Sequence, residues 1–167
     1  MKVTIKGKEI ELELTDEQKA EVERALKPNT GWERVALSDT YFTVDNKGFL
    51  RNIKEDRDEY DNQAYDNANY FTRTELTMNI ARAQTLQRKL WRRSAELCKK
   101  IDWNNKDKTK YSIVYNNKRN ELSIAYFDSY TDFGQVYFDT EEHARQALEE
   151  FRDELTWYFT EFKSRMD

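Results

Sequence analysis

Apolar and polar positions recur along this chain in an order that it writes twice. Residues 41–91 contain YFTVDNKGFL and then NYFTRTELTMNIARAQTLQRKLW, and residues 111–157 contain YSIVYNNKRNELSIAYF and then VYFDTEEHARQALEEFRDELTW. In both, two apolar-alternating runs flank an Asn-rich turn, and a Tyr-Phe pair precedes a cap and a helical stripe. In the first copy Tyr41, Phe42 and Val44 predict a strand, Asp45-Asn46-Lys47-Gly48 a tight turn, and Phe49-Leu50 the return. Thr72 with Glu75 predicts a helix cap. Beyond it Leu76, Ile80, Ala83, Leu90, Leu97 and Ile101 follow in steps of three and four, with Gln87 and Ser94 in the polar gaps. That stripe lasts about seven turns, long for a globular helix.

The second copy compresses the plan. Ile113 and Tyr115 alternate with polar residues, NNKRNE turns, and Leu122, Ile124 and Tyr126 alternate on the return. Tyr137-Phe138 ends a further strand, and Asp139 with Glu142 predicts a cap. Ala144, Ala147, Leu148, Phe151, Leu155, Tyr158 and Phe162 form the buried face of the last helix. Ahead of both copies, Val3, Ile5, Ile10, Leu12 and Leu14 around Gly7-Lys8 predict a β-hairpin. Thr15 with Gln18 makes a capping box for a short helix that buries Val22, Ala25 and Leu26 and stops before Pro28.

The segment PNTGWERVALSD reads as a loop, and residues 54–69 have neither period and predict an exposed loop. Together these elements predict an α+β fold. Residues 1–28 form the N-terminal hairpin and helix, 29–104 a first unit of antiparallel sheet plus long helix, and 105–167 a second such unit. The two units are expected to pack into one compact domain and not a solenoid, since two copies are too few for a repeat array.

Composition changes that picture in one respect. Mean hydropathy is −1.04 and 36% of residues are charged, which leans towards disorder, but 14% are Phe, Trp or Tyr. Each ring buries roughly 150–250 Å², so the core is expected to be small in residue count and built largely from rings. One Pro and four Gly leave no flexible linker and no Gly-rich phosphate cradle. Cys98, alone in the chain, suits a reducing compartment. No apolar run approaches the roughly 20 residues of a membrane span, and the N-terminal residues lack a signal-peptide core. A soluble, cytoplasmic protein is expected, as a monomer or homodimer.

The net charge of −4 conceals an asymmetry: residues 72–119 carry a net +9 and residues 120–167 a net −8. Arg82, Arg88, Lys89, Arg92, Arg93, Lys99 and Lys100, with Lys106, Lys108 and Lys110 beyond, lie on or near the first long helix, beside Trp91 and Trp103. Basic groups interleaved with aromatics suit single-stranded nucleic acid, so Arg88, Lys89, Arg92 and Arg93 are candidate contacts to nucleic acid or to a protein. The alternative is that this face docks on the chain's own Glu149, Glu150, Asp153 and Glu154, or is solvated.

A second candidate is the acidic Tyr/Asn stretch, where Glu55, Asp56, Asp58, Glu59, Tyr60, Asp61, Asn62, Tyr65 and Asp66 have the composition of a protein-binding surface. Spaced carboxylates can also imitate a phosphate track and occupy the basic groove of a nucleic-acid enzyme. The stretch lacks the central Gly and closing Glu of a calcium loop. His143 reads as a surface residue and Cys98 as a small hydrophobe, and no catalytic, phosphate-binding or zinc motif occurs. No catalytic residue, metal site or cofactor is therefore expected, and the protein is read as a non-enzyme.

The strings TGWERV, TYFTVDNKG, NYFTRTE, RAQTLQRKLWR, IDWNN, GQVYFDTEEHARQALEEF and DELTWYFTEF, across residues 30–163, resemble a group of small accessory proteins from phages and integrated elements of Firmicutes. Accessory proteins of that setting often counter host defence, and anti-CRISPR proteins that bind an effector nuclease are the best-known class. The resemblance implies a phage-type inhibitor of a host CRISPR effector that acts by direct binding; a nucleic-acid-binding accessory protein using the basic helix over 73–100 is the alternative.

Overall fold

The computed structural model describes residues 2–5, 8–11, 14–26, 29–99, 101–105, 107–128 and 130–162; within the first 28 residues, side chains are described only at 14–19, 21 and 22. The chain is α+β, as the spacing predicts. Strands β1 (Lys2–Ile5) and β2 (Lys8–Glu11) pair antiparallel with Val3 opposite Ile10, and helix α1 (Asp16–Leu26) follows. The Thr15–Gln18 capping box is present, each residue accepting from the other's backbone N–H at 3.3 and 3.0 Å. Gly7, Leu12 and Pro28, with the side chains of Ala25 and Leu26, lie outside the described residues, as do Lys100 and Lys106.

Strands β3 (Thr40–Val44) and β4 (Leu50–Lys54) form the first repeated hairpin, and β5 (Lys110–Asn116) and β6 (Glu121–Phe127) the second. At the first turn Asp45 Oδ1 accepts from the backbone of Lys47 and Phe49, both at 2.9 Å, which closes the loop through one carboxylate. The duplication extends to the backbone. Phe71 exchanges two hydrogen bonds with Phe42 on the outer edge of β3, and Phe138 does the same with Tyr111 on β5. Each Tyr-Phe pair thus contributes a single bridge and not a strand. A helix then starts three residues on, α3 (Thr74–Leu97) after Phe71 and α4 (Glu141–Glu150) after Phe138. A tryptophan packs against each Tyr-Phe pair, on unlike members: Trp32 on Phe71 at 4.7 Å and Trp103 on Tyr137 at 5.1 Å between ring centroids.

That fixed three-residue step corrects both expected caps. The N-cap residues are Arg73 and Thr140, one position beyond Thr72 and Asp139. Thr72 Oγ1 is buried with no hydrogen-bond partner among the described residues, whereas Thr140 accepts from His143 N at 3.2 Å. Asp139 turns away to accept from the backbone N–H of Lys99 at 3.0 Å. α3 ends at Leu97, so Ile101 lies beyond it. The last helix is interrupted at Phe151 (φ −111°, ψ 21°) and continues as α5 (Arg152–Trp157) and a π-helical turn over Tyr158–Phe162.

The larger correction is at residues 54–69, which the pattern reads as loop and which hold helix α2 (Glu59–Asp66). Its cap is a box built from two aspartates: Asp58 accepts from Asp61 N, and Asp61 accepts from Asp58 N. Only Asp61 and Ala64 of this helix are buried. A helix whose inward face is a carboxylate and a methyl group has no apolar period to detect.

The main core lies where α3 meets β5, α4 and α5, and joins Leu86, Leu90, Ile113, Phe138, Leu148 and Phe151 with smaller neighbours. Side chains of this size contribute about 1.5–3 kcal/mol each on full burial. α3 also packs along β3 and β4, so it belongs to both units. Clasped on two sides, it buries Thr77, Ala81 and Leu86 as well as the expected Leu76, Ala83 and Leu90. Tyr126, expected on the apolar face of its hairpin, is 70% exposed. Among the described residues no helix is long and apolar enough to cross a membrane.

Candidate functional site

A network of buried polar groups holds α2 in place. Glu55, directly after β4, is fully buried and accepts from Arg34 Nε at 3.1 Å, Arg34 Nη2 at 2.9 Å, Tyr70 Oη at 2.6 Å and Arg57 N at 3.0 Å. The Arg34 hydrogen bonds, ahead of burial, which opposes them, hold the Glu55 carboxyl down at about 2. Asp61 accepts from Tyr41 Oη at 2.6 Å and from Asp56 N at 2.7 Å. Burial first, and then the adjoining carboxylates, push the phenols of Tyr41 and Tyr70 up. The loop before β3 therefore supplies Arg34 to the buried Glu55.

Of the acidic candidates, Glu55 and Asp61 are buried and face inward, so they belong to this support and not to a contact surface. Asp56, Asp58, Glu59 and Asp66 remain exposed, with Tyr60 and Tyr65 at 54% and 42%. Tyr65 stands edge-on to Tyr70 at 5.5 Å and under the Arg34 guanidinium, which fixes its ring against the network. The outcome is a short, braced helix that, with the residues leading into it, presents four carboxylates and two phenols.

The basic stretch of α3 is divided. Arg82, Lys89 and Arg93 recur at helical spacing on the face towards the last helix. Arg82 stacks over Trp157 at 3.8 Å, Lys89 pairs with Glu154 at 2.8 Å, and Arg93 lies 2.7 Å from Glu150. The docking of this face on the chain's own acidic helix accounts for Lys89 and Arg93. Arg88 and Arg92 stay outward beside Trp91, which is 55% exposed. Arg88 donates to Thr85 at 3.0 Å, and Arg92 pairs, among the described residues, with Glu96 of its own helix at 3.7 Å. Lys110 is 3% exposed and donates to the carbonyls of Asn105 and Asp128, so it adds nothing to a basic surface. Beside Trp91, an open apolar cavity of about 460 Å³ is lined by Leu86, Leu90, Ile113, Phe138 and Leu155, with Phe133 at its rim.

One cluster escapes sequence reasoning altogether. Cys98, Asp139 and His143 offer ligand atoms that lie within 4.8 Å of one another. His143 Nδ1 is 2.6 Å from Asp139 Oδ1, and the Asp139 N–H donates to Cys98 Sγ at 3.5 Å. Burial pushes the Cys98 thiol up, opposite to the shift of an activated nucleophile. The signal available in the sequence was only that the single Cys and the single His fall beside helix ends. Comparison with protein-family models, with curated proteins and with solved structures finds no match to this chain.

Proposed function

We propose that this protein acts by binding another protein, without catalysis, through the exposed face of α2. The observation that carries this is the bracing of that helix. Asp56, Asp58, Glu59, Tyr60, Tyr65 and Asp66 stand on a scaffold tied down by the buried Glu55 and Asp61. Binding through a surface ordered in advance avoids much of the entropy cost of association. Rigid tyrosines flanked by carboxylates suit a basic, partly apolar groove of the kind that normally holds a nucleic-acid backbone. Joined to the resemblance to phage accessory proteins, this makes a host CRISPR effector nuclease the proposed target and inhibition by occlusion the proposed mechanism.

The test is inhibition of DNA cleavage by a panel of purified CRISPR effectors, with direct binding measured alongside. Inhibition of one effector, weakened at least tenfold by Asp56→Lys with Glu59→Lys and Asp66→Lys, is the expected result. Inhibition that persists undiminished in that variant removes α2 as the surface, and no binding to any effector removes the target class.

Nucleic-acid binding is the alternative, favoured by one observation: Arg88 and Arg92 flank the exposed Trp91 and have no acidic partner on the last helix. A gel-shift series in rising salt tests it. Retardation at low salt that Arg88→Glu with Arg92→Glu abolishes supports it, and no retardation discards it.

A further inference from the structure

The chain has one cysteine and one histidine, and the fold brings them to the same place beside an aspartate. Cys98 is the C-cap just after α3, Asp139 precedes the N-cap of α4, and His143 lies in the first turn of α4. We propose that Cys98, Asp139 and His143 bind a thiophilic divalent cation, Zn²⁺ above all, with water as the fourth ligand. This goes beyond the proposed protein-binding function and does not depend on it.

The donor set points to the metal. A thiolate selects against Mg²⁺ and Ca²⁺, and one sulfur with one imidazole and one carboxylate is a combination that Zn²⁺ accepts in a tetrahedron. Charge balance agrees. A cation is disfavoured at a helix N-terminus, but a thiolate and a carboxylate together cancel the two charges of the ion, so the loaded site is neutral. On binding, the thiol proton leaves to solvent and sulfur coordinates the metal.

The surroundings are those of a supported site. Asp139 is oriented from outside by the Lys99 N–H on its second oxygen, at 3.0 Å. Cys98 Sγ accepts from the Asp139 N–H at 3.5 Å, a donor that favours a charged sulfur, and Ser94 Oγ lies 3.8 Å from it. Ser94 is itself held by the Tyr137 carbonyl at 2.7 Å. Ligands of a tetrahedral zinc at about 2.0–2.3 Å stand roughly 3.3–3.8 Å apart. The Asp139–His143 contact of 2.6 Å therefore opens by about 1 Å, which a half-exposed imidazole in the first turn of a helix can supply by rotation. A bound ion would clamp the end of the shared helix α3 to the start of α4.

The experiment is a Co²⁺ titration of the full chain, prepared without a polyhistidine tag and under reducing conditions, followed by displacement with Zn²⁺. One equivalent should bind with a thiolate-to-cobalt charge-transfer band and tetrahedral visible absorption, and Zn²⁺ should bleach both. Cys98→Ser should remove the charge-transfer band. His143→Gln, at a half-exposed position where the fold is expected to survive, should weaken binding at least tenfold and abolish the rise of a few degrees that Zn²⁺ gives to the melting temperature of the parent chain. Absence of the charge-transfer band from the folded parent protein overturns the proposal. So does Zn²⁺ binding that both variants retain, which would mark adventitious uptake by surface carboxylates.

Discussion

Tyr41 and Tyr70 stack almost face to face, with ring centroids 3.9 Å apart and planes 11° from parallel, while each hydroxyl donates to a different buried carboxylate. Tyr41 belongs to β3 and Tyr70 to the Tyr-Phe pair, so the stack joins two separated stretches of the first repeat. Its two hydrogen bonds reach Asp61 in α2 and Glu55 at the end of β4. The second repeat keeps the bridge but not the stack, because the residue aligned with Tyr41 is Lys110, whose amine turns to backbone carbonyls. The acidic helix and the network that braces it are therefore additions to the shared frame.

Removing either hydroxyl should loosen that support. Tyr70→Phe and Tyr41→Phe each leave the ring in place and delete one hydrogen bond to a charged acceptor, a loss of about 1.5–3 kcal/mol. Urea unfolding monitored by circular dichroism measures it. The double variant should depart from additivity, because the two rings touch.

Stability should also fall in acid through Glu55. Its carboxyl sits near 2 in the folded chain against an ordinary value of 4.5. A depressed folded value means stability that is complete above the ordinary value and is lost as pH drops from about 4.5 towards 2. Urea midpoints taken across that window should decline, and Glu55→Gln should show a lower midpoint at neutral pH with a flatter decline. An unchanged slope in that variant would falsify the assignment.

Glycine at position 31 is required for two reasons. Its φ is +89°, and an added Cβ would stand 2.7 Å from Leu76 Cδ2 and 3.1 Å from Arg73 Nε. Gly134 has a φ of +76° but open space around it. Gly134→Ala should cost about 1 kcal/mol from backbone strain alone, and Gly31→Ala distinctly more. Thermal melts of the two variants side by side give the comparison.

The divided basic face makes a paired prediction. Arg88→Glu with Arg92→Glu alters outward side chains and should change stability by no more than about 0.5 kcal/mol. Lys89→Glu with Arg93→Glu places new charges against Glu154 and Glu150 and should destabilise the packing of α3 on the last helix by about 1 kcal/mol or more. Raised salt should shrink the second effect.

Much of the frame was legible because it depends on local spacing. Alternation at period two placed Tyr41 and Ile113 in hairpins, and steps of three and four placed Leu76, Leu90, Leu148 and Leu155 on inward faces. The caps were misplaced by one residue because the Phe71 and Phe138 bridges, made to strands far back in the chain, set where each helix begins. α2 was missed because its inward group is a carboxylate, and carboxylates read as surface until a buried phenol such as Tyr41 is known to meet them.

By itself, then, the sequence determined the α+β class and the doubled hairpin-and-helix frame, since periodicity and turn chemistry act over a few residues. The main core, expected to be built largely from rings, is instead mostly aliphatic around Phe138 and Phe151. Only the tertiary structure decided which charges are internal. Asp61 and Glu55 went inward, Lys89 and Arg93 were matched by the last helix, and Cys98 met His143 across an interval of 45 residues. The physical reason is that a charge or a ligand atom has no preferred partner until packing brings one within hydrogen-bonding reach.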